Sequence, residues 1–187
     1  MSLLTIYPDQ NPEQGQCYKD FESIEQQLAV IGVQFERWQT QDGSTLPTDA
    51  SQQEILQAYQ ASINRLMAQY GFQSVDVISL HANHPDKAAL RQKFLAEHIH
   101  DDFEVRFFID GCGLFNLHVD NKVYAVLCEQ GDLISVPAGA KHWFDMGENP
   151  YFKTIRLFTT PEGWVAHFTG SPIAQLFPTL DQVLATI

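Results

Sequence analysis

The chain reads as a mainly β protein, a sandwich or barrel of short strands with helices from its first half packed beside it. Three observations predict this. From Glu104 to Phe158, stretches rich in β-branched and aromatic residues are divided by turn-forming pairs. Helical spacing of apolar residues is confined to the part of the chain before residue 97. Helices and strands are therefore segregated by half, which argues against an alternating α/β winding.

Taken in order, Asp20 to Ile31 places Ile24, Leu28 and Ile31 on one helical face and stops at Gly32. Val33 to Trp38 alternates like a strand, and Gln39 to Pro47 is a polar loop. Ser51-x-x-Glu54 has the form of a capping box. It opens a helix whose stripe of Ile55, Tyr59, Ile63, Leu66 and Tyr70 ends at Gly71. A third helix is expected from Pro85 through Leu95. The first 70 residues thus read as mainly helical. Strands are expected at 105–109, 113–119, 122–127, 133–136 and 153–158. The breaks between them are Asp110-Gly111, Asp120-Asn121, Gln130-Gly131 and Glu148-Asn149-Pro150. We divide the chain into a mostly helical part (1–97), a metal-binding barrel (98–170) and a tail (171–187), all in one domain.

At 187 residues the chain can bury a real core, and 44% hydrophobic with 18% charged residues is a globular composition. Eleven Lys and Arg against 23 Asp and Glu give a formal charge of −12. That field repels nucleic-acid phosphates and anionic membrane surfaces, so neither is expected as a partner. Cys17, Cys112 and Cys128 are odd in number and widely spaced, and the latter two fit small core positions. With no leader-like opening and no run of ~20 apolar residues, a cytoplasmic protein is expected.

The chemistry is concentrated in His98-x-His100-x3-Glu104 and in His142. Residues two apart on a strand leave the same face, so His98 and His100 project together. Glu104 keeps the same parity, and a short bend brings it back beside the pair. His142 follows in Gly131-x5-Pro137-x-Gly139-x2-His142, where Pro and Gly mark a tight turn that presents a fourth ligand. Three imidazoles and one carboxylate suit Fe(II), Ni(II) or Mn(II), with two positions of a six-coordinate ion left for substrate or dioxygen. His81, His84, His118 and His167 lack such partners and read as structural.

These two segments resemble the paired motifs of the cupin superfamily, with Gln92 and Met146 standing where a Gly and an Asn are usual. A narrower resemblance is to the acireductone dioxygenases. It rests on Glu97-His98-x-His100-x3-Glu104-Val105-Arg106-Phe107-Phe108 and on Val136-Pro137-Ala138-Gly139-x2-His142-Trp143-Phe144-Asp145-x-Gly147. Ile155-Arg156-Leu157-Phe158, Pro161-Glu162-Gly163-Trp164 and Phe35-Glu36-Arg37-Trp38 extend it over most of the chain. The resemblance implies a cupin-type β-barrel, or jelly roll, with the N-terminal helices packed outside. It also implies one Fe(II) or Ni(II) per chain, a role in methionine salvage, and 1,2-dihydroxy-3-keto-5-methylthiopentene and dioxygen as substrates. With Fe(II) the expected products are 4-methylthio-2-oxobutanoate and formate. With Ni(II) they are methylthiopropanoate, formate and carbon monoxide.

Beside the ligands, Arg106 shares the strand face of Glu104, where it would stabilise a substrate oxyanion or simply pair with an acid. Glu97 reads as a solvated acid at a helix end, with metal entry as its other reading. Arg156 reaches either the site or a structural carboxylate. Phe144 and Trp164 fit the core better than a wall for a methylthio tail. Another cupin isomerase or oxygenase, or a ligand-sensing cupin module, would carry the same four ligands. A sensor fused to a regulator would ordinarily need a basic recognition helix, which this acidic chain lacks. A monomer is expected.

Overall fold

The computed structural model describes residues 1–160 and 164–187. In chain order the strands and helices begin with β1 (Leu3–Pro8), β2 (Gln16–Tyr18), α1 (Phe21–Ala29), β3 (Gln34–Arg37), α2 (Gln52–Ala58) and α3 (Gln60–Tyr70). β4 (Ser74–His81), α4 (Lys87–Leu95), β5 (His98–Ile99), β6 (Glu104–Val119), β7 (Lys122–Glu129) and β8 (Asp132–Val136) follow. β9 (Lys141–Asp145), β10 (Tyr151–Phe158), β11 (His167–Phe168), a 3-10 turn (Ile173–Leu176) and α5 (Leu180–Leu184) complete the order.

Two antiparallel sheets share the long strand β6. Its first half pairs with β8 and β10, in a sheet ordered β4-β10-β6-β8-β3. Its second half pairs with β7 and β9, in a sheet ordered β11-β5-β9-β6-β7-β1-β2. Alternation along β6 assigns the layers. Val105 and Phe107 face outward onto Trp38, Ile55, Tyr59, Ile63 and Leu66, so α2 and α3 cover the first sheet. Phe108 and Phe115 face inward and meet Phe144 and Phe152 in the barrel interior. Leu180 and Val183 of the tail pack on Leu3, Leu114, Ala125 and Leu127, outside the second sheet.

The helical expectations hold in outline. Asp20 caps α1 by accepting from the Ser23 amide, and the Ser51/Glu54 capping box is formed. The stripe from Ile55 to Tyr70 is carried by two helices instead of one, because Tyr59 leaves helical geometry at φ −110°, ψ 14°. The third helix starts at Lys87, two residues later than expected.

The first 70 residues hold more helix than strand, as expected, but the chain before residue 98 also supplies strands beyond those the sequence predicts. β1 and β2 precede α1, and β4 then precedes α4, so the barrel draws on chain before residue 98. β4 aligns along all eight residues of β10, from Ser74↔Phe158 to His81↔Tyr151. Its alternation is masked because Val75 and Val77 pack outward while Ile78 and Leu80 pack inward.

The expected turn at Asp110-Gly111 is instead a bulge inside β6. The register with β10 shifts between Lys153 and Thr154, and Gly111 takes φ +70°. A Cβ there would sit 1.9 Å from the Tyr151 carbonyl oxygen, so only glycine fits. The bulge lets one strand serve both sheets.

Candidate metal centre

His98 lies on β5 directly opposite His142 on β9, and Glu104 opens β6 opposite Val136 at the end of β8. His100 follows β5, and its carbonyl accepts from the Gly139 amide at 2.9 Å. That bond ties the Pro137–Ala140 turn to the His-x-His segment. Gly139 makes the turn at φ +76°, a conformation glycine adopts without strain.

All four side chains are buried, and one ligand atom from each lies within 4.8 Å of the others. Donors sharing an ion with bonds of about 2.1 Å can stand no more than ~4.2 Å apart, so the cluster is close to ligating geometry. The tautomers agree with this. Nδ1 of His98 donates to the Ala96 carbonyl at 2.7 Å, that of His100 to Val165 at 2.8 Å, and that of His142 to Ala140 at 2.8 Å. Each backbone oxygen fixes a ring orientation and leaves Nε2 as the lone-pair nitrogen. Glu104 Oε2 stands 2.9 Å from His100 Nε2 and 3.1 Å from His142 Nε2, so these donors converge.

The electrostatics favour the ligand protonation state at His98 and Glu104, and a proton shared with Glu104 at His100 until a cation replaces it. Burial, reinforced by His142, pulls the His98 pKa down to about 4, so its imidazole is neutral at pH 7. Burial also acts to lower His100, but the Glu104 carboxylate outweighs it and the net direction is up. Desolvation opposes ionisation of Glu104, yet Arg106 and the two imidazoles hold its carboxyl well below the usual range. Three nitrogens and one anionic oxygen therefore fit a first-row divalent ion.

Arg106 pairs with an acid, the second of its two readings. Its Nε donates to Glu104 Oε1 at 2.8 Å, while its buried Nη1 has no partner among the described residues. The guanidinium is enclosed by Phe94, Phe115, Phe144 and Trp164, with ring centroids 4.8–5.8 Å from Cζ. Phe144 is a core residue as expected, and it also forms one face of this box. Trp164 is half-buried, donates to the Phe103 carbonyl and stacks on His100. Pro161, Glu162 and Gly163, which belong to the sequence match, lie outside the described residues.

One expectation needs revision. Glu97 is not a solvated acid, since it is 2% exposed. It accepts from His118 Nδ1 at 2.7 Å and from the Thr169 hydroxyl. Those partners lie 21 and 72 residues away, out of reach of any local reading. Arg156 resolves to the structural side: it forms a forked pair with Asp76 at 2.9 and 2.6 Å. Phe94, one wall of the Arg106 box, carries no sequence signal of its own, since it sits among ordinary helix residues of α4. Cys128 is buried as expected, Cys112 is half-buried, and neither forms a disulfide.

A barrel of this topology, with three histidines and one glutamate converging inside it, defines a metal-binding cupin. The chain matches the ARD/ARD' family over residues 3–166. It is 55% identical to an acireductone dioxygenase of Methylococcus capsulatus, covering 98% of both chains. It is 56% identical to one of Pseudomonas fluorescens, covering 97% of this chain and 99% of the relative. The solved acireductone dioxygenase of Bacillus anthracis, which holds a cadmium ion in its active centre, superposes with TM-score 0.78 at 32% identity. That match covers 90% of this chain and 98% of the other. The chain belongs to the acireductone dioxygenase family, and it is an oxidoreductase. Among the described residues, no helix is long and apolar enough to cross a membrane.

Proposed function

We propose that this chain cleaves 1,2-dihydroxy-3-keto-5-methylthiopentene with dioxygen, in methionine salvage, at the centre formed by His98, His100, Glu104 and His142. The observation that carries the reading is the convergence of three imidazole nitrogens and one carboxylate oxygen beside a buried arginine whose Nη1 has no partner among the described residues. With Fe(II) the products are 4-methylthio-2-oxobutanoate and formate. With Ni(II) they are methylthiopropanoate, formate and carbon monoxide. One ion is bound per chain, the whole of 1–187 acts as a single domain, and the protein works as a cytoplasmic monomer. The unpaired Cys17, Cys112 and Cys128 agree with a reducing compartment.

A bound divalent ion supplies Lewis acidity and a template that favours the ene-diolate over the ene-diol. The protein's own groups do the rest. Ala96, Val165 and Ala140 hold the three rings by their Nδ1 protons, so each Nε2 is presented without rotational freedom. Arg106 keeps a permanent positive charge at Nη1, where a substrate oxyanion can accept from it. Its aromatic box excludes water and so strengthens that interaction. A deprotonated ene-diolate is itself electron-rich enough to reduce dioxygen, which makes activity with redox-sluggish Ni(II) reasonable.

Product analysis of separately loaded Fe(II) and Ni(II) protein tests the proposal. Carbon monoxide is expected from the nickel form alone. Identical products from both forms would overturn the metal-dependent outcome.

A further inference from the structure

Thr154 lies on β10 opposite Phe108 of β6, and its neighbour pair on the same strands is Arg156 opposite Arg106. Phe152, two residues away, belongs to the interior cluster, whereas Ile155 and Leu157 pack outward under the helices. By alternation, Thr154 therefore shares the interior face with Arg106 and Arg156. Diagonal partners on such a pair have Cα atoms about 7–8 Å apart, within reach of an arginine side chain. Thr154 is 0% exposed, and its hydroxyl has no hydrogen-bond partner among the described residues.

An unpaired buried hydroxyl is costly, and valine has nearly the same shape. The only other buried side-chain atoms without partners are Arg106 Nη1 and the amide of Asn116, again among the described residues. Asn116 sits out of phase with Phe115 and Leu117, on the outer face beside Trp143. Two unsatisfied donors thus remain on the interior face, on adjacent strands, Arg106 lying over the Phe144 ring and Thr154 two residues from Phe152, which packs on that same ring.

We infer that Thr154 is a second substrate-binding donor, acting with Arg106 Nη1 on an oxygen of the ene-diolate. The inference rests on the acireductone reading and adds a residue to it. Among the described residues no hydrogen bond joins Thr154 to the ligand histidines, so its hydroxyl is assigned to holding the substrate and not to holding the ion. A buried hydroxyl with no protein partner among the described residues is free to donate to an anionic oxygen of the substrate. That gives selectivity for an oxygen-rich substrate over an analogue lacking that oxygen.

The test uses the full-length, metal-loaded chain. Oxygen uptake, oxygen-free binding of the acireductone followed by its absorbance, metal content and Tm would be measured for T154V, T154S and T154A. T154V is expected to keep its metal and to match or exceed the parent in Tm. Its acireductone binding and kcat/KM should fall by ~10–100-fold, the range for a hydrogen bond to a charged group. T154S should stay within about threefold of the parent, since it keeps the donor. If T154V does not fold, T154A read against T154S gives the same comparison. Unchanged binding and kcat/KM in the hydroxyl-free variants, with an active parent, would overturn the inference. A parent that consumes no oxygen would instead overturn the acireductone reading itself.

Discussion

Arg91 and Asp145 join the helix that delivers His98 to the strand that carries His142. Nε of Arg91 donates to Asp145 Oδ1 at 2.8 Å and Nη2 to Oδ2 at 3.1 Å. Asp145 is fully buried and also accepts from the Leu180 and Gly147 amides. Arg91 reaches Asp181 of the tail as well, so one ion-pair cluster locks α4, β9 and α5 together. Gln92 and Met146, which depart from the usual cupin residues, directly follow the two members of this pair.

Replacing Asp145 by Asn should destabilise the protein by about 1.5–3 kcal/mol, the worth of hydrogen bonds to a charged group that are lost or weakened. Urea denaturation monitored by tryptophan fluorescence reads this directly. A midpoint unchanged from the parent would mean the cluster contributes nothing to stability.

Replacing His142 by Ala removes one converging Nε2. Metal affinity should fall by more than the ~10–100-fold typical of losing a group that merely supports a ligand. Metal content after dialysis, measured by elemental analysis, checks it. Full occupancy together with full activity would remove His142 from the centre.

Arg106→Met should act differently. It removes the charged donor at Nη1 while leaving the three histidines and their carbonyl anchors in place. The expected result is retained metal with kcat/KM lowered by ~10²–10³, as for loss of an oxyanion donor. A variant as active as the parent would leave Arg106 only its bond to Glu104.

Acid should weaken the metal-free protein through His98. Its folded pKa of about 4 lies below the ordinary 6.5, so the unfolded chain binds the extra proton first. The contribution is complete above pH 6.5 and is lost as pH falls toward 4. Glu104 adds a loss at still lower pH, because its folded pKa is depressed too. His100 has the opposite sign: its raised pKa gives a contribution that is complete below 6.5 and lost as pH rises through the folded value. Denaturation of metal-free parent and His98→Gln between pH 7 and 4 separates these. The variant should show a shallower decline over that window, and parallel curves would contradict the assignment.

Much of the centre was legible because its geometry is local. The close spacing of His98 and His100, the short step to Glu104 and the glycine turn before His142 mark the cluster. Within 98–103 only His98 and Ile99 are strand, and a bend at 100–103, not strand parity, sets Glu104 beside the pair. Glu97, Arg156 and Thr154 were not legible, since their environments are set by His118, Asp76 and Phe108, brought in by distant strands. The same limit hid β1 and β4. Leu3 to Pro8 is stabilised by Leu127 to Lys122, and β4 buries both of its faces, which erases the alternation that marks a strand. Asp110-Gly111 carries a turn signature in sequence, yet the same glycine conformation serves a bulge when both flanks pair with β10 and β7.

The most direct measurement is oxygen uptake by Fe(II)-loaded protein supplied with the acireductone, with metal-stripped protein as control. Uptake well above the spontaneous oxidation of the substrate, abolished by stripping and restored by reloading, is the predicted result. No uptake despite bound Fe(II) would contradict a dioxygenase centre at His98, His100, Glu104 and His142.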